Sequence, residues 1–189
     1  THKKKNKMAE FSFIEISYDT SVVDTEQIET ELTRLGFIHR TQHNSGDTGF
    51  WNLQSCIILL RKDDSRRSPC ITGIGFNAND TDIANLKALY DSTTDFYFVD
   101  NGIGIKTYLL TQDQVKHYNS NLEENYNIID PDSKTLKHLN YISGIKMNCH
   151  NNNIIDHYLQ IGFKYKDVSE NYGKLTCENN RFTIMLDKR

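Results

Sequence analysis

LTRLGF at residues 32–37 and YLQIGF at residues 158–163 carry the same punctuation 126 positions apart: an apolar, helical run that stops on Gly-Phe and passes into an extended stretch. Glycine suits the position just past a helix end, where the chain turns left-handed and a Cβ would clash. The residues around the first ending define a unit. Ser12–Tyr18 alternates, with Ile14, Ile16 and Tyr18 on one face and Phe13, Glu15 and Ser17 on the other, the period of a half-buried strand. Asp24 or Thr25 caps a helix whose Ile28, Leu32 and Leu35 share one side. Phe37–Gln42 and Phe50–Arg61 follow as extended pieces around the turn-rich NSGDTG at 44–49, with one more strand if the second piece is divided.

The pattern restarts after the charged loop 62–69. Ile71–Asn77 reads as a strand, and Asp80 or Thr81 caps a helix carrying Ile83, Leu86 and Tyr90. The aromatic run DFYFVD then reaches an Asn101-Gly102 hairpin signal, and Ile103–Leu110 returns as a strand. Residues 113–136 are polar and poorly periodic and read as a linker, with a short helix over Gln112–Tyr118 at its start. A third restart follows: extended His138–Cys149, a helix over Asn152–Ile161 with Ile154, Ile155, Tyr158 and Leu159 on one side, then extended Phe163–Val168, Lys174–Cys177 and Arg181–Leu186. The expected fold is α+β, made of repeated βαβββ units that form curved mixed sheets. Residues 1–10 are a disordered basic tail, 11–112 hold units one and two as a pair, and 137–189 hold the third unit. Standing alone, that third unit leaves an inner sheet face unpaired, which predicts a homodimer or packing against the first pair.

Composition narrows the function classes. With 22 basic and 25 acidic residues the net charge is −3, so no global field points to nucleic acid or an anionic membrane. The one basic run, HKKKNK at 2–7, belongs to the tail. No apolar stretch approaches the roughly 18 residues that span a bilayer, and no secretory h-region is present, so a cytoplasmic protein is expected. Cys56, Cys70, Cys149 and Cys177 include no C-x-x-C pair, which argues against a zinc ribbon and for reduced, mostly buried thiols.

Several local patterns invite chemistry and lose to plainer readings. His39 and His43 have the spacing that chelates a metal on a helix, but Gly36 ends the helix, and four extended residues span about 13 Å. Cys149-His150 and His157 suggest a thiolate and base, yet no acid is placed to orient an imidazole. Gly73 and Gly75 leave two side chains off one strand face, better explained by close packing than by a ligand. Neither GIGF nor GIGI carries the third glycine of a dinucleotide fingerprint, and the pyrophosphate loop of an acyl-CoA transferase has no counterpart. Phe96, Tyr97 and Phe98 alternate sides and serve cross-strand packing, and Trp51 closes a core or a seam.

The repeated βαβββ unit with Gly-Phe helix endings resembles the vicinal oxygen chelate superfamily, which includes glyoxalase I and the extradiol dioxygenases. FIEISYD at 13–19, LTRLGF at 32–37 and ITGIGFNAND at 71–80 look like the N-terminal half of the 4-hydroxyphenylpyruvate dioxygenases over about residues 11–112. KHLNYI at 137–142, continuing through HYLQIGF at 157–163, looks like the start of their catalytic half. The resemblance implies a cleft enclosed by paired units, with a metal held on its floor by two histidines and one carboxylate. His138 falls on the position of the first histidine. The second histidine and the glutamate belong to a fourth unit, which has no counterpart before Arg189, and the acidic residue that precedes the first histidine is replaced by Lys137. Three outcomes stay open: the chain is a fragment, two chains pair their third units and contribute His138 and Asp187 each, or the metal chemistry is absent.

The functional expectation is a degenerate member of the fold with a non-catalytic role, binding a small molecule or a partner. The alternative is a metal-dependent dioxygenase or lyase that uses iron, manganese or zinc and has its site completed by a second chain or a missing segment.

Overall fold

The computed structural model describes residues 10–40, 48–53, 56–65, 68–102, 104–116, 142–177 and 181–189. The basic run at 2–7, most of the expected linker, His43 and His138 lie outside them. Three units follow one another. The first is β1 (Glu10–Tyr18), α1 (Thr25–Arg34), β2 (Ile38–Arg40), β3 (Thr48–Leu53) and β4 (Cys56–Lys62). The second is β5 (Cys70–Asn77), α2 (Asp80–Asn85), β6 (Leu89–Asp91), β7 (Phe96–Asp100) and β8 (Lys106–Leu110). The third is β9 (Gly144–Asn148), α3 (Asn153–Ile161), β10 (Lys164–Ser169), β11 (Tyr172–Thr176) and β12 (Thr183–Asp187). The piece 50–61 is thus divided into two strands, Glu10 opens β1 rather than closing the tail, and 112–116 make a helical turn.

In each unit the first strand runs parallel to the last, β1 to β4, β5 to β8 and β9 to β12, while the intervening neighbours are antiparallel. A parallel pairing needs a long crossover, and the helix with its two following strands supplies it. Units one and two join through antiparallel β1 and β5, with Ile14 opposite Ile74 and Glu15 opposite Gly73, into one eight-stranded mixed sheet ordered β2-β3-β4-β1-β5-β8-β7-β6. The third unit forms a second sheet ordered β10-β11-β12-β9.

Helices α1, α2 and α3 end in the same hydrogen-bonded turn. The Phe37 N–H donates to the Leu32 carbonyl at 2.9 Å, Phe163 to Tyr158 at 2.9 Å and Ala88 to Ile83 at 3.2 Å. Gly36 and Gly162 hold the left-handed position in α1 and α3, and Lys87 holds it in α2 with φ +51°. Both phenylalanines then bury their rings. Asp24 caps α1, its side chain accepting from the Glu26 N–H at 3.0 Å. Asn79, not Asp80 or Thr81, caps α2 in a reciprocal box with Asp82. Because Lys87 turns the chain there, Tyr90 leaves the helix and sits exposed on β6. In α3 the buried residues are Ile154, Tyr158 and Ile161, while Leu159 faces solvent.

The helix-bearing faces of the second and third units press together. Ile74, Phe76 and Leu109 share one core with Ile154, Tyr158 and Ile161 of α3 and with Leu175, Phe182, Ile184 and Leu186 of the second sheet. Phe11 stacks on Phe182 with ring centroids 3.9 Å apart, and Phe76 meets Phe163 edge-on at 5.6 Å. The third unit thus packs against the first pair through its helix side, which leaves the expected pairing of its inner sheet face unmet by any described residue. Among the described residues no helix is long and apolar enough to cross a membrane.

Candidate functional site

Each sheet has a second face, turned away from the helices, on which the fold's cleft chemistry is expected. In the first sheet the alternation of FSFIEISY puts Phe13, Glu15 and Ser17 there, and Glu15 is 1% exposed. A carboxylate buried so deeply needs partners, and it has three. Its Oε1 accepts from the Thr72 hydroxyl at 2.7 Å, and its Oε2 accepts from the Tyr108 hydroxyl at 2.7 Å and from Arg61 Nε at 3.0 Å. Thr72 reaches this face because β5 carries one extra residue between the Glu15–Gly73 and Ile16–Ile71 pairs, a bulge that re-aims its side chain. The Ser17 and Thr72 hydroxyls bond at 2.5 Å.

Arg61 extends the network. Its Nη2 donates to Asp91 Oδ2 and to the Tyr108 hydroxyl, both at 3.1 Å. Lys106 lies 3.8 Å from the same Asp91 oxygen and over the Phe98 ring at 4.6 Å. Burial alone would lower the arginine pKa, but Glu15, Tyr108 and Asp91 together raise it. Burial and then Glu15 push the Tyr108 phenol well above its ordinary range. Asp91 is held below its ordinary value: the Thr93 N–H, Arg61 and Lys106 outweigh its burial. Phe13, Phe96 and Tyr108 fill the rest of the floor with ring centroids 5.4–6.2 Å apart. Side chains at Gly73 and Gly75 would collide with the rings of Tyr108 and Phe13, so these glycines make room for aromatic packing. The set is two carboxylates against two cations, with a phenol locked in its protonated form. It is suited to holding strands together and leaves no free base.

The second sheet has an open face. Asp187, the last residue of β12, accepts from Arg189 at Oδ1 (Nε, 3.0 Å) and Oδ2 (Nη2, 2.8 Å), with Lys146 Nζ 3.4 Å from Oδ2. The Arg189 bonds, then Lys146, hold its carboxyl well below the usual range. Arg189 and Lys146 also lie over the Tyr172 ring at 5.0 and 5.4 Å. A carboxylate already shared by a guanidinium and an ammonium is a poor seat for a divalent cation, so this donor set does not fit the metal that the fold resemblance implies. Among the described residues no three His, Cys, Asp or Glu side chains converge on one point.

The other candidates separate. His39 lies on β2. The buried Cys149 thiol donates to the Asn151 carbonyl at 3.1 Å. His157 instead bonds Thr107 across the seam between sheets, Nε2 to Oγ1 at 2.7 Å, and burial pushes its pKa down to about 4. The Glu15 cluster is what sequence reasoning missed. A glutamate at an alternating position inside an otherwise apolar strand was its visible signal.

No family model matches the chain, and no curated protein matches it. Solved structures do. A xylose isomerase-like TIM barrel/4-hydroxyphenylpyruvate dioxygenase fusion protein aligns with 97% of this chain at TM-score 0.67 and 14% identity, over 32% of its own length. An extradiol ring-cleaving dioxygenase from B. fuscum aligns with 97% at TM-score 0.62 and 10% identity, over 54% of its length. A hypothetical protein from Staphylococcus aureus aligns with 96% at TM-score 0.59 and 8% identity, over 86% of its length. The chain thus spans about a third of the fusion protein and about half of the ring-cleaving dioxygenase. At such identities the likeness concerns backbone architecture. The chain has the vicinal oxygen chelate fold, its three βαβββ units arranged as in these dioxygenase structures.

Proposed function

We propose that this chain is a non-catalytic binding module of the vicinal oxygen chelate fold, with the open face of the second sheet as its working surface. The observation that carries this reading is the state of the inward carboxylates. Glu15 is engaged by Arg61, Thr72 and Tyr108, and Asp187 by Arg189 and Lys146. Each is neutralised by a cation of the chain itself, which is the reverse of what a metal site needs. The first sheet's inner face is also filled by aromatic rings, which leaves the second sheet to receive a ligand or partner.

A second reading draws on the names of the structural neighbours. In it the chain is part of a metal-dependent dioxygenase or lyase with His138 and Asp187 as ligands, completed by a second copy or a further segment. Asp187 would first have to leave Arg189 and Lys146. The test is metal content and mass in solution on native protein, repeated on His138→Ala, with dioxygen uptake assayed on aromatic 2-oxo acids and catechols. The binding module predicts neither bound iron, manganese or zinc nor dioxygen uptake. Stoichiometric metal in a dimer, lost in His138→Ala, would replace that reading with the shared-site enzyme.

A further inference from the structure

On the open face of the second sheet, cross-strand register lines up Lys166 of β10, Lys174 of β11, Met185 of β12 and Lys146 of β9 in one row. Lys164 stands two residues before Lys166 on the same strand face, and Arg189 lies beside Tyr172 in the neighbouring row. Among the described residues the face gathers five cations and one carboxylate, Asp187, which is taken up by Arg189 and Lys146, and Lys164 is itself engaged. Asp167 alternates to the other face and pairs with Lys188. Glu170 sits in the turn beyond β10. Lys166 and Lys174 are directly opposite one another and have no ion-pair partner among the described residues. Like charges so placed are destabilising, and a bound anion relieves the repulsion.

We infer that this face binds single-stranded nucleic acid through its phosphates, an inference that rests on the binding-module reading. At about 4.8 Å per strand the row spans roughly 14 Å, so one small anion bridges two lysines at most, whereas a chain of phosphates engages all of them. The cations are mostly lysine, a residue depleted in protein–protein interfaces and effective as a point charge toward phosphate. The face is a four-stranded sheet surface with Thr176 and Thr183 half-buried and Asn148 exposed beside the cations, and such a platform receives a flexible single strand more readily than a duplex groove. The overall charge of −3 hides this face because it averages over acidic residues on other elements, three of them on α1.

The test is fluorescence anisotropy with a labelled 12-nucleotide oligo-U, on metal-free protein, between 50 and 200 mM salt. About four phosphate contacts give a log–log salt slope near −3, a loss of roughly fifty-fold across that range. Lys166→Gln with Lys174→Gln should weaken binding about tenfold at 50 mM salt and flatten the slope by about 1.4. Lys62→Gln, at the end of β4 in the other sheet, should leave both unchanged. The basic run at 2–7 is common to all these proteins, so the difference reports the face alone, and an unchanged urea midpoint in the double variant certifies its fold. Absence of binding at 50 mM salt, or double-variant binding equal to wild type, overturns the proposal. So does an oligo-glutamate peptide that binds as tightly as the oligonucleotide, which would make the partner an acidic protein. Stoichiometric metal in the native protein overturns the binding-module reading whatever the anisotropy shows, so the two failures are read separately.

Discussion

The inner faces of the two sheets treat charge in opposite ways. In the first, Glu15 and Asp91 meet Arg61 and Lys106 under cover of aromatic rings, and every charge has a partner. In the second, Asp187 is outnumbered and the lysines of β10 and β11 stand opposed at the surface. Strand order within each unit is the same in both sheets, so the unit's own fold does not dictate the difference. It comes from what covers each face. Packing between units one and two closes the first cluster over, and burial then requires neutrality. Nothing among the described residues closes the second, so water screens an excess of one sign and the sequence is free to keep it.

The comparison breaks most sharply on the two carboxylates. Glu15→Ala leaves Arg61 buried without its main counter-charge and the Tyr108 and Thr72 hydroxyls without their acceptor, and should cost about 3–5 kcal/mol of unfolding free energy. Asp187→Ala removes a carboxylate held by two residues, Arg189 and Lys146, but both cations are more than half exposed, so water solvates them once it is gone. Urea denaturation should show a midpoint shift several-fold smaller for Asp187→Ala than for Glu15→Ala. Equal shifts would mean that the second cluster is as structural as the first.

The seam between the sheets should respond to acid. The pKa of His157 is lowered from 6.5 to about 4 by burial alone, so the folded state holds the ring neutral while the unfolded chain takes up a proton. Its contribution is complete above pH 6.5 and is lost as pH falls from 6.5 toward 4, by about 3 kcal/mol at 1.36 kcal/mol per pH unit. Urea midpoints measured across that window should fall in wild type and flatten in His157→Gln. Parallel curves for the two proteins would place the acid sensitivity elsewhere.

How much of this was legible depends on the distance between partners along the chain. FSFIEISY showed its two faces because alternation is local, and Gly36 and Gly162 marked their helix ends because glycine is the low-strain residue for a left-handed turn. α2 ends by the same turn, but Lys87 carries no such mark, so the apolar pattern runs on as helix to Tyr90 in the sequence. Apolar character places Leu159 on the inner side of α3, whereas the core contacts fall at Ile154, Tyr158 and Ile161, the spacing of one helical stripe. Glu15 was visible as an oddity in an apolar strand, but Arg61, Thr72 and Tyr108 lie 46, 57 and 93 residues away and meet it only through register. Lysines 146 and 174 reach the row of Lys166 in the same way, and net charge averages over them.

A smaller effect sits in the shared core. Tyr158 is fully buried between the sheets, and its hydroxyl has no hydrogen-bond partner among the described residues. Tyr158→Phe keeps the ring and removes the stranded group, so it should stabilise the protein by about 1 kcal/mol in urea denaturation. A loss of stability would show that the hydroxyl has an ordered water or another partner in solution.

The smallest expected change separates the three units from one another. Lys87 occupies, at φ +51°, the position that Gly36 and Gly162 hold at φ +94° and +109°. A side chain in that region costs about 1–2 kcal/mol relative to glycine. Lys87→Gly gives part of this back through the greater freedom of the unfolded chain, about 0.5–1 kcal/mol. The net gain should be about 0.5–1 kcal/mol in urea denaturation. Gly36→Ala and Gly162→Ala should move stability the other way, because each puts a Cβ where the first and third units have none. If Lys87→Gly instead destabilises, the lysine contributes more to the groove it lines with Ile83 and Tyr97 than its backbone strain removes, and the second unit's departure from the glycine pattern has a packing cause.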